Sequence, residues 1–168
     1  MNDKLLFILY LCPKIMMIEL HNVTIAPKIK GLSLTIASAQ LVCLLGPPDA
    51  GKTALLKAVL GLIPVDGGHI SIDGELLTPK SAPYFRRQMA YVPQHLVVPE
   101  GYPLATDYVS LLTKAVESGK QLLIVDEPAE ELDEEAKTLV DNLLRDASQQ
   151  GTTVLAVNGR ITQNQIKL

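Results

Sequence analysis

Hydrophobic and polar positions divide the chain into alternating runs, continuous apolar runs and amphipathic stripes. Met17-Ile-Glu-Leu-His-Asn-Val-Thr-Ile25 and Ile29 to Ile36 alternate, so each predicts a half-buried strand. Gly31 inside the second predicts a bulge. Leu41-Val-Cys-Leu-Leu45 is a continuous apolar run. Beyond a glycine-bearing stretch, Leu55, Leu56, Val59 and Leu60 recur at helical spacing, with Gly61 as the stop. Pro64 to Gly68 is a turn cluster, and Asp73-Gly74 splits His69 to Leu77 into two short runs, a hairpin pattern. Ala82 to Gln88 predicts a short helix and Met89 to Pro93 a strand. Pro99 and Pro103 leave 96–103 without a period, a loop. Thr106 to Val116 predicts a helix with Tyr108, Leu111, Leu112 and Ala115 on one face.

Leu122-Leu-Ile-Val125 is apolar without alternation, which predicts a strand covered on both faces and hence a parallel sheet under helices. The clearest helix follows, with Leu132, Ala136, Leu139, Val140, Leu143, Leu144 and Ala147 in one stripe. Acids crowd its first turn, and Asp141 with Arg145 forms an i,i+4 pair. Gly151 precedes a strand, Thr152 to Val157, and then a polar tail. The pattern predicts an α/β chain: a mainly parallel sheet beside an antiparallel β portion.

Composition narrows the picture. A length of 168 residues suits one domain, and a 48% apolar fraction supplies a sizeable core. With 15 basic against 18 acidic residues, there is no footprint for nucleic acid or an anionic membrane surface. Cys12 and Cys43 make no disulfide framework; Cys43 is expected as a buried, reduced thiol, and the cytoplasm as the compartment. Residues 1–15 stand apart from the domain at 16–168. Their apolar run, Leu5 to Cys12, is too short to span a bilayer. It reads as a tail or a misassigned start ahead of Met16 or Met17, as a contact for a surface or membrane partner, or as a signal segment lacking a cleavage site.

The chemistry centres on Gly46-Pro47-Pro48-Asp49-Ala50-Gly51-Lys52-Thr53, which fits Gly-x-x-x-x-Gly-Lys-Thr between a predicted strand and a predicted helix. Chance would place such a pattern in roughly one chain of this length in a hundred. In that setting backbone N–H groups and the positive helix end face phosphate oxygens. Lys52 reaches the outer phosphates and Thr53 puts its hydroxyl on magnesium. Asp126-Glu127, at the carboxyl end of the apolar strand, completes the set: Asp126 as metal carboxylate, Glu127 to orient or deprotonate water.

From about Met17 to Val157 the chain resembles the ATP-binding subunit of ABC transporters. The resemblance is carried by Asn22-Val-Thr-Ile25, Gly31-Leu-Ser-Leu-Thr-Ile36, the phosphate loop, Gly68-His-Ile-Ser-Ile-Asp-Gly74, Arg86-Arg-Gln-Met-Ala-Tyr-Val-Pro-Gln94 and Leu122-Leu-Ile-Val-Asp-Glu-Pro128. It implies a P-loop NTPase core, ATP and Mg2+ as ligands, and a place on the cytoplasmic side at the inner face of a membrane. A membrane-embedded transporter subunit and a second ATP-binding subunit are the partners it implies. It gives Gln94 a contact to magnesium or the attacking water and a link to the membrane partner. Asp133 matches a dimer-contacting aspartate.

Four departures accompany the resemblance. Only residues 95–125 separate Gln94 from Asp126, where the family fits a helical subdomain and a Leu-Ser-Gly-Gly-Gln signature; Ser118-Gly-Lys-Gln121 there reads as a turn. None of His21, His69 and His95 follows the strand Thr153 to Val157. Gly159 falls at the family's histidine position, or else Asn158-Gly-Arg-Ile161 matches a later family strand. Pro48-Asp49 replaces Asn-Gly in the loop, removing one N–H and adding a carboxylate. No aromatic stacks on adenine; Pro27 lies near that position. The expectation is an ATP-binding subunit with impaired hydrolysis; the alternative is a non-hydrolysing or structural subunit of such a complex. Another P-loop kinase or NTPase fits the surroundings of Gln94 and Asp126 less well.

Overall fold

The computed structural model describes residues 16–95, 107–127 and 132–168. The apolar run Leu5 to Cys12, the 96–103 loop and Pro128 lie outside the described residues.

Two sheets form. Strands β1 (Ile18–Ile25), β2 (Ile29–Ile36), β4 (Gly67–Ile72) and β5 (Glu75–Leu76) make an antiparallel sheet in the order β2-β1-β4-β5. Strands β3 (Leu41–Leu45), β6 (Met89–Val92), β7 (Leu122–Val125), β8 (Thr153–Val157) and β9 (Gln165–Lys167) make a parallel sheet in the order β6-β7-β8-β3-β9. Among the described residues the helices are α1 (Lys52–Val59), α2 (Ala82–Arg86), α3 (Tyr108–Glu117) and α4 (Glu134–Gln149).

The local signals act as expected. Between the pairs Val23/Leu32 and Ile25/Ile29, β2 carries one residue more than β1, so the bulge sits at Lys30 and Gly31. Asp73 and Gly74 both take positive φ, 53° and 77°, which matches the twist of the β4–β5 hairpin. Helix α1 ends with Leu62 N–H donating to Lys57 O and Gly61 N–H to Ala58 O, 2.9 Å each, the paired closure typical of a glycine stop.

Strand β7 explains the layering. Leu122 and Ile124 join one core with α1, α2 and the antiparallel sheet. Leu123 and Val125 join another with α3 and α4. All four are buried, as an apolar run without alternation requires. Cys43 is a buried thiol in the second core. Among the described residues no helix is long and apolar enough to cross a membrane.

Three expectations need correction. The tail is not merely polar: Gln165–Lys167 adds β9 to the open edge of β3, with Ile166 and Leu168 against the first core. Leu139 is 46% exposed, because the stripe of α4 buries only Val140, Leu144 and Ala147. Asp141 is bridged not to Arg145 but to Arg160, Nε to Oδ2 at 3.0 Å, and to Asn158 Nδ2 at 2.7 Å. The turn after β8 packs over that part of α4 and takes the carboxylate.

Candidate functional site

Strand β3 delivers the chain to Gly46, and the loop then turns sharply into α1. The turn needs Gly51, which sits at φ 94° as the residue capping α1; a Cβ there would stand 3.1 Å from Ile29 Cγ1. No side chain caps this helix. Its first internal bond runs from Leu55 N to Gly51 O, 2.9 Å, so the N–H groups of residues 52–54 emerge from the helix end. Together with the helix dipole they make an anion-receiving surface.

That surface lines a cleft of about 670 Å³. Its walls are the β1–β2 turn with Pro27 and Lys28, the loop from Gly46 through Thr53, and Gln94, Asp126, Glu127 and Val157. Every expected site residue except Pro47 lines it directly, and Pro47 contributes through its carbonyl. Lys52 Nζ donates to Gly46 O at 2.7 Å and Pro47 O at 2.9 Å, which holds the ammonium over the loop. Gln94 and Glu127 are exposed at the rim.

Thr53 and Asp126, far apart in sequence, meet in the floor: Oγ1 donates to Oδ2 at 2.8 Å. Asp126 is only 2% exposed, and its other carboxylate oxygen accepts from Glu127 N at 3.1 Å. A buried carboxylate beside a hydroxyl is a hard oxygen pair. Neighbouring oxygens around an octahedral Mg2+ stand ~2.9 Å apart, given metal–oxygen distances of 2.0–2.1 Å. Thr53 and Asp126 therefore have the oxygen chemistry and spacing that could hold a magnesium ion.

The expected liability at Asp49 is softened. Its φ of 67° lies in the left-handed region, which aspartate tolerates. Its carboxylate is 90% exposed and lies 3.5 Å from Lys28 Nζ. Sequence reasoning missed Lys28: the resemblance put Pro27 near the adenine position, but nothing in the pattern pairs its neighbour with the loop carboxylate.

Tyr108 was also missed as a neighbour of the site. It is the first residue of α3, buried, and its hydroxyl donates to the main-chain carbonyl of Asp126. Burial first, then the charges of Asp126 and Glu127, keep its phenol protonated well above the usual range. Burial and Asp126 also raise Tyr91. The available signal was a tyrosine, whose hydroxyl demands a partner, at the start of a buried stripe.

Other expected positions lie away from the cleft. Asp133 caps α4, accepting from Ala136 N at 2.7 Å. Asn158 turns to Asp141 and to the N–H groups of Arg160 and Ile161. His21 and His69 stack on each other across β1 and β4, ring centroids 4.7 Å apart. Ser118 to Gln121 is a turn, with Gly119 at φ 64°. No aromatic is among the described residues lining the cleft.

A family model described as ABC transporter matches residues 29–148, a span holding the phosphate loop, Gln94, Asp126 and Glu127. The chain belongs to the ABC transporter family. It is 38% identical over 98 residues to the manganese transport system ATP-binding protein MntB of Listeria monocytogenes, covering 56% of this chain and 39% of that protein. It is 31% identical over 101 residues to the zinc import ATP-binding protein ZnuC of Marinobacter nauticus, 58% of this chain and 35% of that protein. The matched stretch thus spans little more than a third of these relatives. In fold, it superposes on a solved structure described as an ATP binding subunit of an ABC transporter, with TM-score 0.75, 18% identity, 90% of this chain and 85% of that one. The likeness is one of fold, built in this chain as a parallel sheet beside an antiparallel one.

Proposed function

We propose that this chain binds ATP with Mg2+ in the cleft and serves as an ATP-binding subunit of an ABC-type membrane transport complex on its cytoplasmic side. The 2.8 Å contact between Thr53 and Asp126 carries the reading, because it places two hard oxygens together at the mouth of a phosphate loop. The N–H groups opening α1 and Lys52 take the phosphates, and Thr53 and Asp126 hold the metal. When bound, magnesium neutralises phosphate charge and polarises the bond to be broken. Glu127 and Gln94, at the rim, orient water.

Hydrolysis by this chain alone is slow on this reading. The sequence carries no Leu-Ser-Gly-Gly-Gln segment, and no histidine lines the cleft among the described residues. A second ATP-binding subunit is the source of the missing closing groups. Exposed apolar residues Leu62, Leu76 and Tyr84, the first two bordering a groove of about 580 Å³ behind α1, offer a surface to the membrane-embedded subunit.

Titration with labelled ATP, with and without Mg2+, tests the binding. The unaltered chain binds in a magnesium-dependent way, and Lys52→Ala weakens binding by ~10-fold or more. No measurable affinity in the unaltered chain overturns the proposal and leaves a structural subunit. For hydrolysis, Glu127→Gln abolishes magnesium-dependent turnover while binding persists. Binding without any turnover favours the non-hydrolysing alternative.

A further inference from the structure

We propose that Tyr108 is a positioning residue for the metal-side carboxylate: its hydroxyl, bonded to the Asp126 carbonyl, keeps the Asp126 side chain on Thr53. This inference rests on the magnesium–nucleotide reading of the cleft.

Asp126 is the first residue past β7, where the sheet no longer dictates the backbone. Two bonds still hold its main chain. Asp126 N–H donates to Val92 O of β6 at 2.9 Å, and Asp126 C=O accepts from Tyr108. The donor is itself fixed. Asp107 caps α3, its carboxylate accepting from Ser110 N at 2.8 Å and Ser110 Oγ at 3.0 Å. Tyr108 and Leu112 then pack into the core that holds Val92, Leu123 and Val125. The start of α3, the end of β6 and the end of β7 therefore form one clamp around Asp126. The other contact of the carboxylate, from Glu127 N, is to the adjacent residue and restrains it little.

A metal pair of two side chains depends on such supporting bonds, since a ligand set loosened by fractions of an ångström loses affinity. Removing the Tyr108 hydroxyl releases the Asp126 carbonyl and lets the carboxylate leave Thr53. The phosphate loop is untouched, because the N–H groups of residues 52–54 and Lys52 do not involve Tyr108. The defect is confined to the metal-dependent part of binding.

The test compares labelled-ATP affinity in Mg2+ and in EDTA for the unaltered chain, Tyr108→Phe and Leu144→Ala. The phenylalanine keeps the ring, so the core stays filled. In Tyr108→Phe the magnesium enhancement falls ~10-fold, within the range for lost supporting bonds at metal sites, and the EDTA affinity is unchanged. Leu144→Ala, in α4 of the same core, lowers the melting temperature but keeps the enhancement, because the bond from Tyr108 to the Asp126 carbonyl is intact. A Tyr108→Phe protein with full enhancement overturns the proposal, as does equal loss in both variants, which would mark a general stability effect. An unaltered chain that shows no magnesium enhancement fails the nucleotide reading itself, and this inference with it.

Discussion

On the proposed function, Asp49 is where the phosphate loop opposes its ligand, and Asp49→Asn isolates that opposition. Asparagine tolerates φ 67° as aspartate does, so the loop keeps its path and only the charge is lost. A carboxylate ~6 Å from a phosphate charge costs ~3 kcal/mol at an effective dielectric of ~20 and ~0.7 kcal/mol at that of water. The carboxylate is 90% exposed, which places it near the aqueous limit, and Lys28 at 3.5 Å cancels part of the remainder. Two or three phosphate charges act together, so the net figure is ~1 kcal/mol, or ~5-fold in affinity. Asp49→Asn is expected to bind labelled Mg–ATP ~5-fold more tightly at ~0.05 M salt. The gain shrinks towards nothing at ~0.5 M, where screening acts within a few ångströms. Lys28→Gln moves the other way, weakening binding at low salt. A gain equal at both salt levels, or tighter binding in Lys28→Gln, would refute the electrostatic reasoning.

Gly51→Ala forces a side chain into a left-handed backbone and against Ile29, so nucleotide affinity drops more than unfolding stability, which falls ~1–2 kcal/mol; titration and urea unfolding measure the two. Asn158→Ala removes three bonds at a buried turn and costs ~1–3 kcal/mol in urea unfolding. Arg160→Ala breaks exposed bridges to Glu134 and Asp141 and costs under ~1 kcal/mol. The Cys43 thiol is pushed from 9.0 to about 11, chiefly by burial and secondly by Asp141. The unfolded chain ionises first, so stability holds below pH 9 and falls as pH rises towards 11. Unfolding midpoints across that window show the slope, and Cys43→Ala loses this part of it.

The parts of the fold legible in the sequence were those set by local chemistry. Asp73-Gly74 fixed a hairpin, Gly61 stopped α1, and four unbroken apolar residues marked β7 as a strand between two cores. The candidate site was legible as a cluster because Gly46 to Thr53 and Asp126 to Glu127, which line one cleft, carry their chemistry in residue identity. What escaped depends on tertiary neighbours. Strand β9 has one apolar residue, Ile166, and exists because β3 leaves an edge for it. The helical period made Leu139 core, but only the part of α4 beneath the sheet is covered. Asp141 found Arg160, nineteen positions on, through a turn that no periodicity describes. Tyr108 and Lys28 reach the site by packing of elements distant in sequence, and their spacing to the motif residues carries no signal.

The placement of β3 bears on the order in which the chain can fold. Its sheet neighbours on either side, β8 and β9, lie more than a hundred positions further along the sequence, with Leu41 facing Val154 and Cys43 facing Gln165. Leu168 N–H donates to Leu45 O at 2.8 Å, directly ahead of the phosphate loop. Until both partners reach it, β3 is an apolar ribbon with both edges bare. Contacts closed over so long a stretch form slowly, so the loop gains its support late, and the interval before that is when the polypeptide is most exposed to clumping.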